Sequence, residues 1–195
     1  MRGHKPSWAG YTLVEVLFVL AISATLAGIA IPLLRSAADD IRAAAAARAL
    51  ATTIMSARLD AVRRSAAVGL WFEEVDGDFV MALHADGNGN GVRTADIRGG
   101  IDPALGPAER LGYRHPGIRF GLLTGIPDVD GGFSGTDGVR IGVSRILALA
   151  PTGGATSGTL YLHGKRSQYA VRVLGATGRV RVFQYNPGAR QWNSR

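Results

Sequence analysis

The residue that most needs a chemical partner is Glu15. It is the single charged side chain in Tyr11–Leu34, YTLVEVLFVLAISATLAGIAIPLL, a run otherwise made of apolar and small hydroxyl residues. A carboxylate in such a run is costly in hydrocarbon unless it is paired or neutralised. The small-residue junction Ala9-Gly10 lies immediately before the run. Hydrolysis of the Gly10–Tyr11 peptide bond would create an α-ammonium on Tyr11 and make Glu15 the fifth residue of the shortened chain. Glu15 could then neutralise that ammonium in its own chain or in a neighbouring copy. The alternative is an interfacial carboxylate that reaches up to lipid headgroups.

A second group lies near the other end. In Gly178-Arg179-Val180-Arg181 two arginines stand two apart. In a strand such residues share a face, and two adjacent guanidinium groups suit phosphate oxygens. Arg190 and Arg195 could extend the patch, with Tyr185 and Trp192 available to stack on bases. The charge distribution agrees with a basic end. The chain carries +7, yet no acidic residue follows Asp137, and Arg140, Arg145, Lys165, Arg166, Arg172, Arg179, Arg181, Arg190 and Arg195 give that stretch +9, leaving −2 for what precedes it. A nucleic acid or an acidic protein surface is the partner such a bias favours. The alternatives are a solvated face and an edge strand kept from aggregating by its charge.

A third group, Asp86-Gly87-Asn88-Gly89-Asn90-Gly91, begins like a calcium loop,. A full loop needs a carboxylate at its last ligand position, where Ile97 stands, while Asp96 falls one place early. The reading preferred from this spacing is a polar hairpin turn, with Asp86, Asn88, Asn90 and Asp96 as oxygen donors for Ca²⁺ in the alternative. Enzyme chemistry has little support. His4, His84, His115 and His163 are scattered, Ser144 and Ser157 lack a nucleophile-elbow setting, and no phosphate loop occurs,. No cysteine is present, which excludes disulfides and thiolate metal sites,. No cofactor is expected.

These groups need elements to position them. About 20 helical residues cross a bilayer core, so residues 11–34 are long enough, and Arg2 and Lys5 put the leader on the cytoplasmic side,. A cleaved secretory signal would have a shorter apolar run with its small-residue site after it, the reverse of the order here. Pro32 lacks an N–H and should kink the helix locally,. Beyond it the chain is rich in alanine, with apolar residues at Ile41, Ala45, Leu50, Ile54, Ala57, Ala61 and Val62 among charged ones. That pattern predicts one long helix over 11–66, its second half amphipathic and packed on a globular part.

From Val68 onward, short β-rich runs alternate with glycine-containing turns,. The expected strands are 68–74, 79–84, 111–113, 118–120, 146–150, 158–163, 169–173 and 180–185, with 121–138 as a surface loop. The 27 glycines exceed the ordinary share of about 7% and lie mostly beyond residue 85,. The expected architecture is therefore α+β. It divides into a leader (1–10), a transmembrane helix half (11–34), an amphipathic helix half (35–66) and an antiparallel β domain (67–195).

Gly10-Tyr11-Thr12-Leu13-Val14-Glu15 resembles the cleavage and methylation motif of type IV prepilins and of type II secretion pseudopilins. Tyr11 stands where Phe is usual, and Pro32 falls where such helices often carry a proline. The succession Ala57–Arg64, Ala150–Leu160 and Ala176–Arg181 resembles the GspH/FimT family, pseudopilin H of type II secretion and the minor pilin FimT. The resemblance implies cutting after Gly10 and N-methylation of Tyr11 by a prepilin peptidase, and handling by inner-membrane assembly machinery. It also implies Glu15-guided assembly with other pilins and a single-pass inner-membrane protein with a periplasmic domain, placed at a filament tip after assembly. The implied role is that of a minor type II secretion pseudopilin. The alternative is a minor type IV pilin that aids pilus assembly and DNA uptake, in which Gly178-Arg179-Val180-Arg181 resembles a DNA-binding motif.

Overall fold

Alanine and leucine dominate the first third of the chain, and they form one helix, α1, from Leu13 to Arg64, in a computed structural model that describes residues 10–132 and 135–195. Residues 1–9, including most of the expected leader, lie outside the described residues. The helix begins two residues later and ends two earlier than 11–66 predicts. Ser65, with φ 53°, takes the left-handed conformation that closes many helices,. Pro32 lies inside α1, and the helix continues through it.

The chain divides into two units, one reaching Ala38 and the other Asp39–Arg195. In the first, the apolar side chains from Leu13 to Leu34 are exposed. This helix is long and apolar enough to cross a membrane,.

In the second unit the helix buries Asp39, Ala43, Ala46, Ala47, Leu50, Ile54, Ala57 and Ala61. These fall at the three- and four-residue steps of a single face. The sequence pattern had placed Ile41, Ala45 and Val62 on this face too, but they are exposed. Small alanines let the helix approach the sheets closely, so they hold the inner face. Ile41, Met55, Leu59 and Val62 form a second apolar stripe, exposed on the opposite side.

The strands are β1 (Val68–Val75), β2 (Asp78–Ala85), β3 (Glu109–Arg110), β4 (Arg119–Phe120), β5 (Val139–Arg140), β6 (Ile146–Leu149), β7 (Gly158–His163), β8 (Gln168–Leu174), β9 (Arg179–Asn186) and β10 (Gln191–Ser194). They form two sheets, β3-β2-β1-β6 and β10-β9-β8-β7-β4, with β5 pairing on β7. All the pairings are antiparallel. The β1–β2 hairpin closes through Asp76 and Gly77, both at positive φ, as the mirror-image two-residue turn requires. Two short helices interrupt the chain between β2 and β4, α2 (Thr94–Arg98) before β3 and α3 (Leu111–Arg114) directly after it.

One core cluster joins α1 to both sheets. The buried alanines, Leu50 and Ile54 of α1 meet Leu70 and Phe72 of β1, Leu147 and Leu149 of β6, Leu160 and Leu162 of β7, and Val171 and Val173 of β8. Phe120 stands edge-on to Phe72 and Phe79. The strand expected at 111–113 is instead α3. The pairing with β2 is taken by Glu109–Arg110, and Leu111 turns its side chain into the core.

Two acidic residues fasten α1 to the second sheet. The Asp39 carboxylate accepts backbone N–H bonds from Lys165 (2.9 Å), Arg166 (3.0 Å) and Ser167 (3.1 Å) and a hydroxyl bond from Ser167 (2.9 Å). Gly164 is required there, because a Cβ would run into that carboxylate. Burial alone would raise the Asp39 pKa, but these four bonds outweigh it and hold it below the ordinary value,. Asp40 accepts from Tyr169 Oη and Gln184 Nε2, each at 3.0 Å.

Candidate functional site

Thr12 and Glu15 form a reciprocal cap at the start of α1. The Thr12 N–H and hydroxyl each donate to Glu15 Oε2 at 2.8 Å, and the Glu15 N–H donates to Thr12 Oγ1 at 3.3 Å. The Thr12 carbonyl accepts the first helical bond, from Val16 N–H. This is a capping box, with Thr12 at the N-cap and Glu15 at its third helical position. The sequence alone pairs Glu15 with the ammonium that cutting would create on Tyr11, in its own chain or in a neighbouring copy. The geometry gives it a partner within the uncut chain as well, and the Thr-x-x-Glu spacing was the available signal. Gly10 and Tyr11 precede the helix and are exposed. A new ammonium on Tyr11 would sit at the positive end of the helix dipole, one residue before a cap that holds a carboxylate.

The basic group occupies the outer face of the second sheet. Along β9, Val180, Val182 and Gln184 turn toward α1, so the alternation puts Arg179, Arg181, Phe183 and Tyr185 on the other side. The register sets Arg140, Thr159, Arg172 and Arg181 side by side across β5, β7, β8 and β9. Arg179 and Arg181 share a face as expected and are exposed. Neither makes a salt bridge among the described residues. Arg190 lies in the β9–β10 turn with φ 50°. Arg195 instead donates to Gln184 Oε1, on the opposite side of β9. Gly178 is structural: its φ is +60°, and a Cβ there would lie 2.6 Å from the Gly153 carbonyl and 3.1 Å from the Arg58 guanidinium.

Sequence reasoning missed Arg140 and Arg172, because only strand register reveals that they join this face. A cleft of about 490 Å³ opens there, lined by Asp128, Asp130, Arg140, Thr159, Tyr161 and Arg172 among others. The 121–132 loop covers this side of the sheet. Leu122, Ile126 and Val129 pack with Tyr161, Phe183 and Trp192. The Trp192 indole N–H donates to the Pro127 carbonyl at 2.9 Å, and its ring meets Tyr161 and Tyr185. Trp192 is therefore engaged in holding the loop, which leaves it less available for stacking than the sequence implies. The loop's carboxylates reach the basic row: Asp128 pairs with Arg140, and Asp130 pairs with Arg172 through both oxygens. The Arg172 guanidinium lowers the Asp130 pKa against a smaller opposing effect of burial.

The Asp86 loop joins β2 to α2, so it is not the hairpin turn expected between two strands. Asp86 accepts N–H bonds from Asn88 (3.2 Å), Gly89 (2.8 Å) and Gly91 (2.8 Å). Burial pushes the Asp86 pKa up, and these bonds more than reverse it. Asp96 faces Asn88 Nδ2 at 3.5 Å. Asp102, buried, holds the loop's two ends by accepting from Gly87 and Arg93 N–H at 3.0 Å each.

The chain is 45% identical over 83 residues to the pilin-like protein PilA1 of Thermus thermophilus, a match covering 40% of this chain and 50% of that protein. The chain thus spans about half the length of the curated relative it matches. No family model matches, and no solved structure does. The likeness supports a type IV pilin-like relationship. The fold agrees with it: a long apolar N-terminal helix whose later turns pack on antiparallel sheets.

Proposed function

We propose that this chain is a prepilin-type filament subunit. A prepilin peptidase cuts it between Gly10 and Tyr11 and N-methylates Tyr11. The helix anchors it once across the bacterial inner membrane with the β domain in the periplasm. Assembly machinery then moves it into a filament among other pilin-like subunits, near the tip. The observation that carries this reading is the exposed apolar helix that starts in a Thr12–Glu15 cap directly after a Gly10–Tyr11 junction. The likeness to a pilin-like protein supports it. Within this reading, the chain acts as a minor pseudopilin of a type II secretion system and takes part in protein export. Deleting its gene should stop export of folded substrates while leaving piliation intact. Unchanged export would refute the secretion role.

A second reading has its own observation. Among the described residues Arg179 and Arg181 make no salt bridge, and they share one exposed face beside Arg172, which suits a minor type IV pilin that binds DNA during uptake. Gel shifts of the detergent-solubilised chain should then weaken for Arg179→Ala/Arg181→Ala. Equal or absent binding in both proteins would end that reading.

A further inference from the structure

We propose that Asp130 is an internal acidic plug on a phosphate-binding track formed by Arg172, Arg181 and Arg179. When the phosphodiester backbone of a nucleic-acid strand displaces it, Arg172 joins the other two arginines in the grip. The proposal rests on the DNA-binding reading and adds to it a third arginine and a built-in competitor.

Register supplies the first reason. Arg172 and Arg181 are direct cross-strand partners, with Cβ atoms about 5 Å apart in such a pair. Like charges in that arrangement repel unless an anion lies between or beside them. Within the chain that anion is Asp130, which receives both terminal nitrogens of Arg172. Arg172 Nε is held separately by Thr159 Oγ1 at 3.1 Å, so the guanidinium stays on this face when its carboxylate partner changes. Arg179 follows Arg181 on the same side, about 6.7 Å along the strand. The three cations therefore form a bent line that runs from exposed Arg179 and Arg181 to half-buried Arg172 in the cleft beside the loop. Tyr185 extends the same face of β9 with an aromatic ring,.

The two loop carboxylates differ in what holds them. The Asp128 side chain is 11% exposed, and its N–H donates to the Gly132 carbonyl, while the neighbouring Val129 N–H donates to Tyr161 Oη. Asp128 and Arg140 are thus part of the loop's anchorage. The Asp130 side chain is 74% exposed and sits at the turn before Gly131, whose φ is +89°. Exposed ion pairs are weak and screened by salt, so phosphate oxygens can replace the Asp130 carboxylate on the bidentate fork of Arg172. The row Arg140-Thr159-Arg172-Arg181 then divides into a structural end and a ligand-binding end.

The test is fluorescence anisotropy of labelled oligothymidine with the full chain in non-ionic detergent. Asp130→Asn is compared with Asp76→Asn, which removes the same charge from the Arg110–Asp76 pair on the other sheet. The expected result is about a three- to tenfold gain in affinity at low salt for Asp130→Asn, with a salt slope steeper by about 0.7 for one added phosphate contact. Asp76→Asn should gain less than twofold, and Asp130→Asn/Arg172→Gln should lose the gain. If the wild type binds and the two single variants gain equally, the plug is overturned and the DNA-binding reading survives. If none of the proteins binds oligothymidine, both fail. Tighter binding of polyglutamate than of oligothymidine by Asp130→Asn would also overturn the proposal, because it assigns the face to an acidic polypeptide.

Discussion

Removing the Asp39 carboxylate should loosen α1 from the second sheet. Asp39→Ala deletes four hydrogen bonds to the 164–167 turn. Bonds to a charged acceptor contribute about 1.5–3 kcal/mol each when assessed one at a time. They are not additive here, because water can reach the turn's N–H groups once the carboxylate is gone. A net loss of about 2–4 kcal/mol follows, equivalent to a Tm drop of about 5–15 °C for a unit of this size. Asp39→Asn should lose a similar amount, since its NH₂ would face N–H donors. Trp71 and Trp192 lie in this unit, so thermal unfolding followed by tryptophan fluorescence in detergent reads the change. The pH dependence has a definite sign. The folded Asp39 pKa lies below its ordinary 3.8, so its contribution is fully present above that value and is lost as pH falls through the folded pKa. The wild type should therefore lose stability below about pH 4 more steeply than Asp39→Asn. A Tm for Asp39→Ala within about 1 °C of wild type would refute the latch, since even a 1 kcal/mol loss shifts Tm by more than that.

Gly178→Ala should destabilise the same unit by about 1–3 kcal/mol, because the new Cβ meets the Gly153 carbonyl at positive φ; a parallel melt checks it. Thr12→Val should weaken the start of α1 by about 1 kcal/mol without blocking membrane insertion, seen as faster amide exchange at residues 13–16. Glu15→Leu should insert in the membrane yet fail to enter filaments, which sheared-filament fractionation measures. A wild-type share of Glu15→Leu in that fraction would contradict the role given to the carboxylate.

How much of this was legible in the sequence depends on the range of the interactions. The long helix, the β1–β2 hairpin at Asp76-Gly77 and the strands from β6 to β9 follow from local pattern, and the structure contains them. The buried face of α1 was only half readable. Apolar residues lie on both sides of it, and contact with the sheets decides that Ala43 and Ala46 are inside while Ile41 is out. Short strands such as β3 and β5, at two residues each, carry too little pattern to be seen. Arg179 and Arg181 were visible as a local i, i+2 pair. Arg172, Asp130 and the Asp39 latch were not, because their partners lie 9, 42 and 126–128 residues away in sequence. The Thr12–Glu15 cap is local and readable from the Thr-x-x-Glu spacing,, whereas a carboxylate in an apolar run points first to the ammonium that cutting would create on Tyr11.

The central claim is that the mature subunit begins at Tyr11, with Glu15 beside the new terminus. Co-expression with a prepilin peptidase, followed by intact-mass and N-terminal peptide spectrometry, tests it most directly. The account predicts a chain that starts at N-methylated Tyr11, and an uncut chain when Gly10→Val is introduced. A mature chain that starts at Met1, or after the apolar run beyond Leu34, would contradict it.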